Sequence, residues 1–355
     1  MWFSVYLLFV ETERLEILDI SKLIGLVLVT VGHLSNGPVR NYIYLFHIPF
    51  FFVASGMVLR GRKTSLSEII AENRKLLIFF YVLNLAIYGY VLVSGPENYQ
   101  VIPGVNDLLL RVILLEGFGT LWFIGTLVIG RVLFRIIRKV NRQSHQIALF
   151  AVLYAASMVI GRGLDAGKLI YRVENLPLIL LITILKGVIA CVFLSTGFYL
   201  KATWMKLIRW LQGNPVRSAL TAAVCFGSLI PFCSFTQMDI HLLQFGMPVL
   251  NVILGLIGTV MILAVASLLE KTPASKSLAY LGRNSLILMS VESLQLLLVT
   301  YTFLCTCFNH QGIFVKILSL VLYIAELFLI TVFPGKAINR LIQAIDSNCR
   351  KNPQA

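Results

Sequence analysis

Apolar segments about twenty residues long recur from one end of this chain to the other, and that recurrence leaves few folds open. Hydrocarbon about 30 Å thick needs roughly 20 apolar residues per crossing helix, and inside it backbone polar groups are satisfied only in helices or closed barrels. Ten candidate spans follow: Ile17–Ser35, Ile43–Leu59, Leu76–Ser94, Leu121–Ile137, Ile147–Gly161, Leu178–Leu200, Ser218–Phe235, Phe245–Leu269, Ser285–Phe308 and Ile313–Phe333. The sequence therefore predicts an all-α, polytopic membrane protein of about ten transmembrane helices. It reads as one integral-membrane domain over residues 1–355, with a lead-in over 1–16 and a cytoplasmic tail over 334–355. Of its residues 58% are hydrophobic and only 13% charged, where a soluble domain carries about 25% charged residues. No stretch reads as a soluble domain, a linker, a low-complexity region or an internal repeat. The opening Trp2–Val10 is apolar but too short to span, and it lacks the basic start of a signal peptide. It reads as an interfacial segment.

The formal charge of +14 would suit a nucleic-acid binder, but its distribution points elsewhere. With the N-terminus in the cytoplasm, the inner loops collect Arg60, Arg62, Lys63, Arg74, Lys75, Arg135, Arg138, Lys139 and Arg142 in the first half of the chain. Lys201, Lys206, Arg209, Arg217, Lys271, Lys276, Arg283, Lys336, Arg340, Arg350 and Lys351 continue the series. The outer loops hold only Arg40, Arg111, Arg162, Lys168, Arg172 and Lys316. This asymmetry sets orientation, places both termini in the cytoplasm and complements anionic lipid. Clusters such as Arg60-Gly-Arg62-Lys63 and Arg74-Lys75 are also placed to bind an anionic cytoplasmic ligand. The six cysteines show neither a disulfide framework nor metal-ligand spacing, and they read as small hydrophobes; no metal is expected.

The first span carries three ionisable groups on one face. The eleven-residue step from Lys22 to His33 returns to within roughly 20° of the same direction, and Asp19 lies about 60° from Lys22 and 40° from His33. His33 sits about 16 Å further along the helix than Lys22. Such a stripe faces protein or a water-filled cavity rather than lipid, and it marks a functional site by default. The plainer alternative is a buried histidine bonded to a neighbouring helix, with Asp19 and Lys22 marking the interface. Asp19 is expected to pair with Lys22, since about 21 Å of helix rise separates it from His33.

The second span opens Phe46-His47-Ile48-Pro49-Phe50-Phe51-Phe52-Val53-Ala54-Ser55-Gly56. The loop before it is short, so the first two spans form an antiparallel hairpin, and His33 and His47 lie at similar depth near its outer end. A neutral imidazole there can take a proton from a hydroxyl while a second orients it or binds substrate. His47 could equally cap backbone at a helix start. Pro49 fits a first helical turn. Among other intramembrane groups, Glu292 is an acid about 12 Å into the ninth span, able to hold an acceptor or orient a histidine, or simply to pack. Trp122 could stack on a sugar face or sit in an interfacial aromatic belt. Lys186 and Glu326 are further charges within spans, without a motif to interpret them.

On these residues the chain resembles the acyltransferase 3 family of membrane-bound O-acyltransferases, in particular its fucose 4-O-acetylase-like branch. Asp19-x-x-Lys22-x10-His33 matches the family's first-helix pattern, and Phe46-His47-Ile-Pro-Phe-Phe-Phe-Val-Ala-Ser55-Gly56 its second-helix signature. Leu121-Trp122-Phe123 resembles its Leu-Trp-Phe element, and Leu281-Gly-Arg-Asn284-Ser285-Leu286 the entry to its penultimate helix. Two positions depart from the pattern. Glu292 stands where the family often has histidine, and its cytoplasmic-loop pattern survives only as Asn73-Arg74-Lys75-Leu76-Leu77, with Phe79 where proline is usual.

The resemblance implies transfer of an acyl group, in the first instance acetyl, from cytoplasmic acyl-CoA to a hydroxyl of a cell-surface carbohydrate or its lipid-linked precursor, in a bacterial cytoplasmic membrane. It assigns His33, His47 and Asp19 to catalysis and Lys22, Arg60, Arg62, Arg74 and Lys75 to the donor, whose phosphates such cations hold. Glu292, Trp122, Asn284 and Ser285 go to the acceptor. His33 then acts as general base or accepts the acyl group transiently. A transporter or flippase of a lipid-linked glycan is the rival class, and it predicts internal repeats and interrupted helices that are not found. An inactive relative serving as a partner subunit is the third, suggested by Glu292 and opposed by Asp19, Lys22, His33 and His47.

Overall fold

The computed structural model describes residues 15–61, 65–94, 105–164, 166, 176–292, 304–306, 308 and 313–351. Among them the architecture is almost wholly helical. The chain runs α1 (Glu16–Leu34), α2 (Gly37–Tyr44), α3 (His47–Met57), α4 (Leu66–Ser94) and α5 (Val105–Ile113). A short 3-10 turn at Gly119–Leu121 leads into α6 (Trp122–Ile137), followed by α7 (Gln143–Gly163), α8 (Leu176–Tyr199), α9 (Lys201–Gln212) and α10 (Pro215–Leu229). A small antiparallel hairpin, β1 (Met238–Asp239) with β2 (Gln244–Phe245), precedes α11 (Pro248–Leu269). α12 (Ser275–Arg283), α13 (Ser285–Glu292), α14 (Ile313–Val332) and α15 (Pro334–Lys351) complete the described elements.

Seven helical segments among the described residues are long and apolar enough to cross a membrane: Glu16–Leu34, Gly119–Ile137, Gln143–Gly163, Leu176–Tyr199, Pro215–Ser234, Pro248–Leu269 and Leu318–Ser347. They make this a multi-pass membrane protein. Half of the ninth expected span, Ser285–Phe308, and nearly all of the lead-in with Trp2–Val10 fall outside the described residues. The second expected span requires a correction. Instead of one helix over Ile43–Leu59, the chain breaks at Leu45–Phe46 and restarts at His47. Pro49 is the reason: it has no N–H for the Leu45 carbonyl, so continuous helix through this point would leave that carbonyl unserved. Phe46, at φ −144 and ψ −19, absorbs the bend, and Phe50 N–H closes the new first turn onto its carbonyl at 2.9 Å.

α3 is buried all round and lies against α8 and α11. Its crossing with α8 is as close as backbones allow. A Cβ on Gly56 would overlap the Leu194 carbonyl, and a Cβ on Gly197 would overlap the Val53 carbonyl. These reciprocal glycines are small residues of the sort that draw helices together in lipid. α1 packs on α11 and α12, and one continuous hydrophobic cluster runs from Ile17 through Phe50, Phe123, Phe193 and Leu263 to Leu327. α10 lies at the other extreme, with 11% of its apolar window buried, so its outer face is left for lipid.

Candidate active site

α1 ends at Leu34 and the chain reverses through Ser35-Asn36-Gly37, where Gly37 takes a left-handed φ of +62 that suits a residue without Cβ. Pro38 then starts α2 in a first turn, where its missing N–H leaves nothing unpaired. This tight return brings His33, on the last turn of α1, beside Tyr44 at the end of α2, with His47 opening α3. The Tyr44 ring stands edge-on to His33 at 6.2 Å between centroids and lies 4.9 Å from His47. Tyr44 Oη is 3.5 Å from His33 Nδ1. The expected meeting of the two histidines at one depth is therefore realised, with a tyrosine between them. His47 is buried and its Nδ1–H donates to the Ile43 carbonyl at 2.8 Å, whereas His33 is exposed at the mouth.

These residues form one wall of a cavity of about 240 Å³, with Val29, Ile48 and Arg40. The Arg40 guanidinium lies over the Tyr44 ring at 4.8 Å and 3.9 Å from Asp239. A second wall comes from Thr120, Trp122 and Phe123 at the start of α6 and from Met289 on α13, where Thr120 Oγ1 donates to the Met289 carbonyl at 2.5 Å. The third wall is the hairpin itself, Met238–Leu242. Three bonds pin it: Asn251 Nδ2 to the Gln237 carbonyl (2.9 Å), Thr236 Oγ1 to Asn251 Oδ1 (2.8 Å) and Arg162 to the Gly246 carbonyl (3.1 Å). Asp239 accepts the Leu242 N–H at 3.0 Å, and burial raises its pKa from the usual carboxylate value.

Behind the hairpin sits a buried ionic cluster. Lys186 on α8 is fully buried and lies 2.6 Å from Glu116 Oε1, while Thr183 Oγ1 donates to Glu116 Oε2 at 3.1 Å. His241 closes the group, with Nδ1 3.1 Å from Lys186 Nζ and its ring stacked on Trp122 at 4.9 Å and 28°. Burial, and then the neighbouring Lys186 charge, push the His241 pKa well below the ordinary histidine range, so the ring is neutral at physiological pH.

The other end of α1 is a separate locality. Asp19 is 2% exposed and is held by Lys22 at 3.0 Å, as the sequence predicts, and by Arg283 at 3.5 Å. Gly282 of α12 lies so close that a Cβ there would overlap the Asp19 carbonyl. Asn284 and Ser285 stand at the α12–α13 junction beside this pair. Asn284 Oδ1 accepts from Asn339 of α15 at 3.0 Å, which ties that helix to the junction. Asp19, Lys22, Asn284 and Ser285 thus share neither cavity nor contact with His33, His47 and Trp122 among the described interactions. Of the bases assigned to the donor, Arg74 is bound to Asp346 at 2.6 Å, Arg60 and Lys75 are exposed, and Arg62 lies outside the described residues. Glu292 ends the described part of α13, and its side chain lies outside what is described.

Sequence reasoning missed Arg40, Tyr44, Glu116, Asp239 and His241 as site residues and left Lys186 without a role. The available signal was Asp239-Ile-His241, the ionisable residues of the loop between the seventh and eighth expected spans. No group of three or more metal-ligating side chains is found among the described residues. A family model described as an acyltransferase domain matches residues 15–333 of the chain. No curated protein and no solved structure matches it.

Proposed function

The chain belongs to the acyltransferase 3 family and is a membrane acyltransferase; from that premise we propose that it moves an acetyl or other acyl group from cytoplasmic acyl-CoA to a hydroxyl of a cell-surface carbohydrate or its lipid-linked precursor. The observation that supports this reading is the convergence of His33 and His47 with Trp122, distant from both in sequence, on one cavity with polar groups on every wall. A sugar presents hydroxyls and an apolar ring face, and the cavity offers Arg40, Asp239 and Thr120 for the former and Trp122 and Phe123 for the latter.

In this reading the acceptor hydroxyl adds to the thioester carbonyl while His33 takes its proton. The C–S bond then breaks and the sulfur leaves with that proton. His47, whose Nδ1–H is committed to the Ile43 carbonyl, keeps a lone pair on Nε2 and holds the sugar by accepting from a neighbouring hydroxyl. Lys22, Arg60 and Lys75 line the cytoplasmic approach and attract the donor's phosphates, with Arg283 beside them at 42% exposure. Asp19 keeps Lys22 and Arg283 on that approach, a positioning role rather than a contact with the reacting atoms.

Mass spectrometry of surface glycans from cells with and without the protein tests the assignment. Loss of an acyl mass from otherwise intact glycan is the expected result. Unmodified acylation overturns it, and glycan missing from the surface altogether would be the outcome of a flippase.

A further inference from the structure

Two imidazoles of the cavity have hydrogen-bond partners of opposite kind. His47 Nδ1 faces the Ile43 carbonyl oxygen at 2.8 Å, which only accepts, so the proton of the neutral ring is on Nδ1 and Nε2 is bare. His241 Nδ1 faces Lys186 Nζ at 3.1 Å, while Glu116 Oε1 stands at 3.6 Å, outside hydrogen-bond reach. Paired with Glu116 at 2.6 Å, that ammonium only donates. His241 Nδ1 therefore accepts and its proton is on Nε2. One ring is an acceptor, the other a donor, and the backbone carbonyl and the buried ion pair fix which is which.

A fully buried lysine–glutamate pair with Thr183 behind it is an expensive way to hold one ring nitrogen, since desolvating both ions opposes folding. The arrangement makes sense if the opposite edge of that ring is used. We propose that His241 Nε2–H is the hydrogen-bond donor that stabilises the oxyanion formed when the acceptor hydroxyl adds to the acyl carbonyl, with Lys186 and Glu116 as its positioning pair. The role rests on the acyl-transfer reading above.

In the step, the acceptor oxygen forms the C–O bond to the carbonyl carbon and its proton passes to His33. The carbonyl π pair moves onto oxygen, which accepts the His241 Nε2–H bond while the proton stays on nitrogen. The pair then returns, the C–S bond breaks, and the sulfur leaves as thiol with the proton from His33. A base at His241 would need a bare Nε2 and hence a proton on Nδ1, aimed at the Lys186 ammonium. Stacking on Trp122 holds the ring plane, so the donor needs no reorganisation when charge develops.

The test uses the full-length protein in detergent, labelled with 15N-histidine, and membranes carrying it supplied with 14C-acetyl-CoA. The His241 resonances, assigned by their loss in His241→Gln, should show a protonated Nε2 and a bare Nδ1. They should lose that preference in the Lys186→Met, Glu116→Gln double variant. His241→Phe should lower kcat by about 10²–10³-fold, the range for loss of one oxyanion donor, with KM for acetyl-CoA unchanged. His241→Gln, whose amide retains an N–H donor, should recover part of the rate and serves where the phenylalanine variant does not fold. A proton on Nδ1, or a full-rate folded His241→Phe variant in membranes whose wild-type protein is active, overturns the oxyanion role. Wild-type membranes that transfer no label overturn the acyl-CoA reading and this role with it.

Discussion

The two ends of α1 carry similar chemistry to opposite effect. At the Asp19 end, a carboxylate that is 2% exposed is held by Lys22 at 3.0 Å and Arg283 at 3.5 Å, and Gly282 packs against the Asp19 backbone carbonyl. At the His33 end, an exposed imidazole faces a cavity of about 240 Å³ and has one long contact, to Tyr44 at 3.5 Å. On the proposed function, the difference separates a latch from a reactive site. A buried carboxylate with cations on either side fixes one packing and is a poor reagent, whereas groups with unused hydrogen-bonding capacity beside a cavity are available for chemistry.

The comparison presumes that the two ends face opposite sides of the membrane, which is the all-or-none way to break it. Reporter fusions after Arg142, after Arg217 and at the C-terminus should report cytoplasm, and fusions near Asn98 and Asp165 the outside, as the Lys/Arg asymmetry requires. An outward-facing C-terminus would put the donor approach on the wrong side. Next in size is Gly282→Ala. Because its Cβ would overlap the Asp19 carbonyl, α12 must move off α1, and unfolding in detergent should show a loss of about 3 kcal/mol, the upper part of the range for overpacking. A variant as stable as wild type would show that the latch is loose. Smaller again is Lys22→Ala. Arg283 remains to pair with Asp19, so the melting point should fall only modestly, while KM for acetyl-CoA rises roughly tenfold, the equivalent of about 1.4 kcal/mol for a lost charge-assisted contact. Unchanged KM with a large stability loss would assign Lys22 to the scaffold alone.

Much of this contrast is legible in the sequence because it is local. Helical periodicity alone puts Asp19, Lys22 and His33 on one stripe, and the short connection to His47 makes the hairpin that joins the two histidines. The same periodicity concealed the break at Leu45–Phe46, because the apolar residues on either side of it read as one span. The ionic cluster behind the cavity is assembled across 55 to 70 residues of separation: Lys186 with His241, and Glu116 with Lys186. Neither Glu116 nor His241 lies in a periodic segment, and partners drawn together by tertiary packing leave no spacing to read. The charge on Lys186 was visible, but its counter-ion was not. Asn284 and Ser285 show the converse: their motif was visible, yet they stand at the α12–α13 junction next to Arg283, where Asn284 accepts from Asn339 of α15.

The central claim is that the chemistry is done at the His33 end. Membranes carrying His33→Gln, supplied with 14C-acetyl-CoA and assayed for label in extracted polysaccharide, test it most directly when the unfolding midpoint of the purified variant is followed in parallel. The account predicts that transfer falls by about 10²–10⁴-fold, the contribution of a positioned general base, while the midpoint stays near wild type because His33 is exposed and loosely bonded. Transfer at the wild-type rate by a folded His33→Gln protein would contradict it.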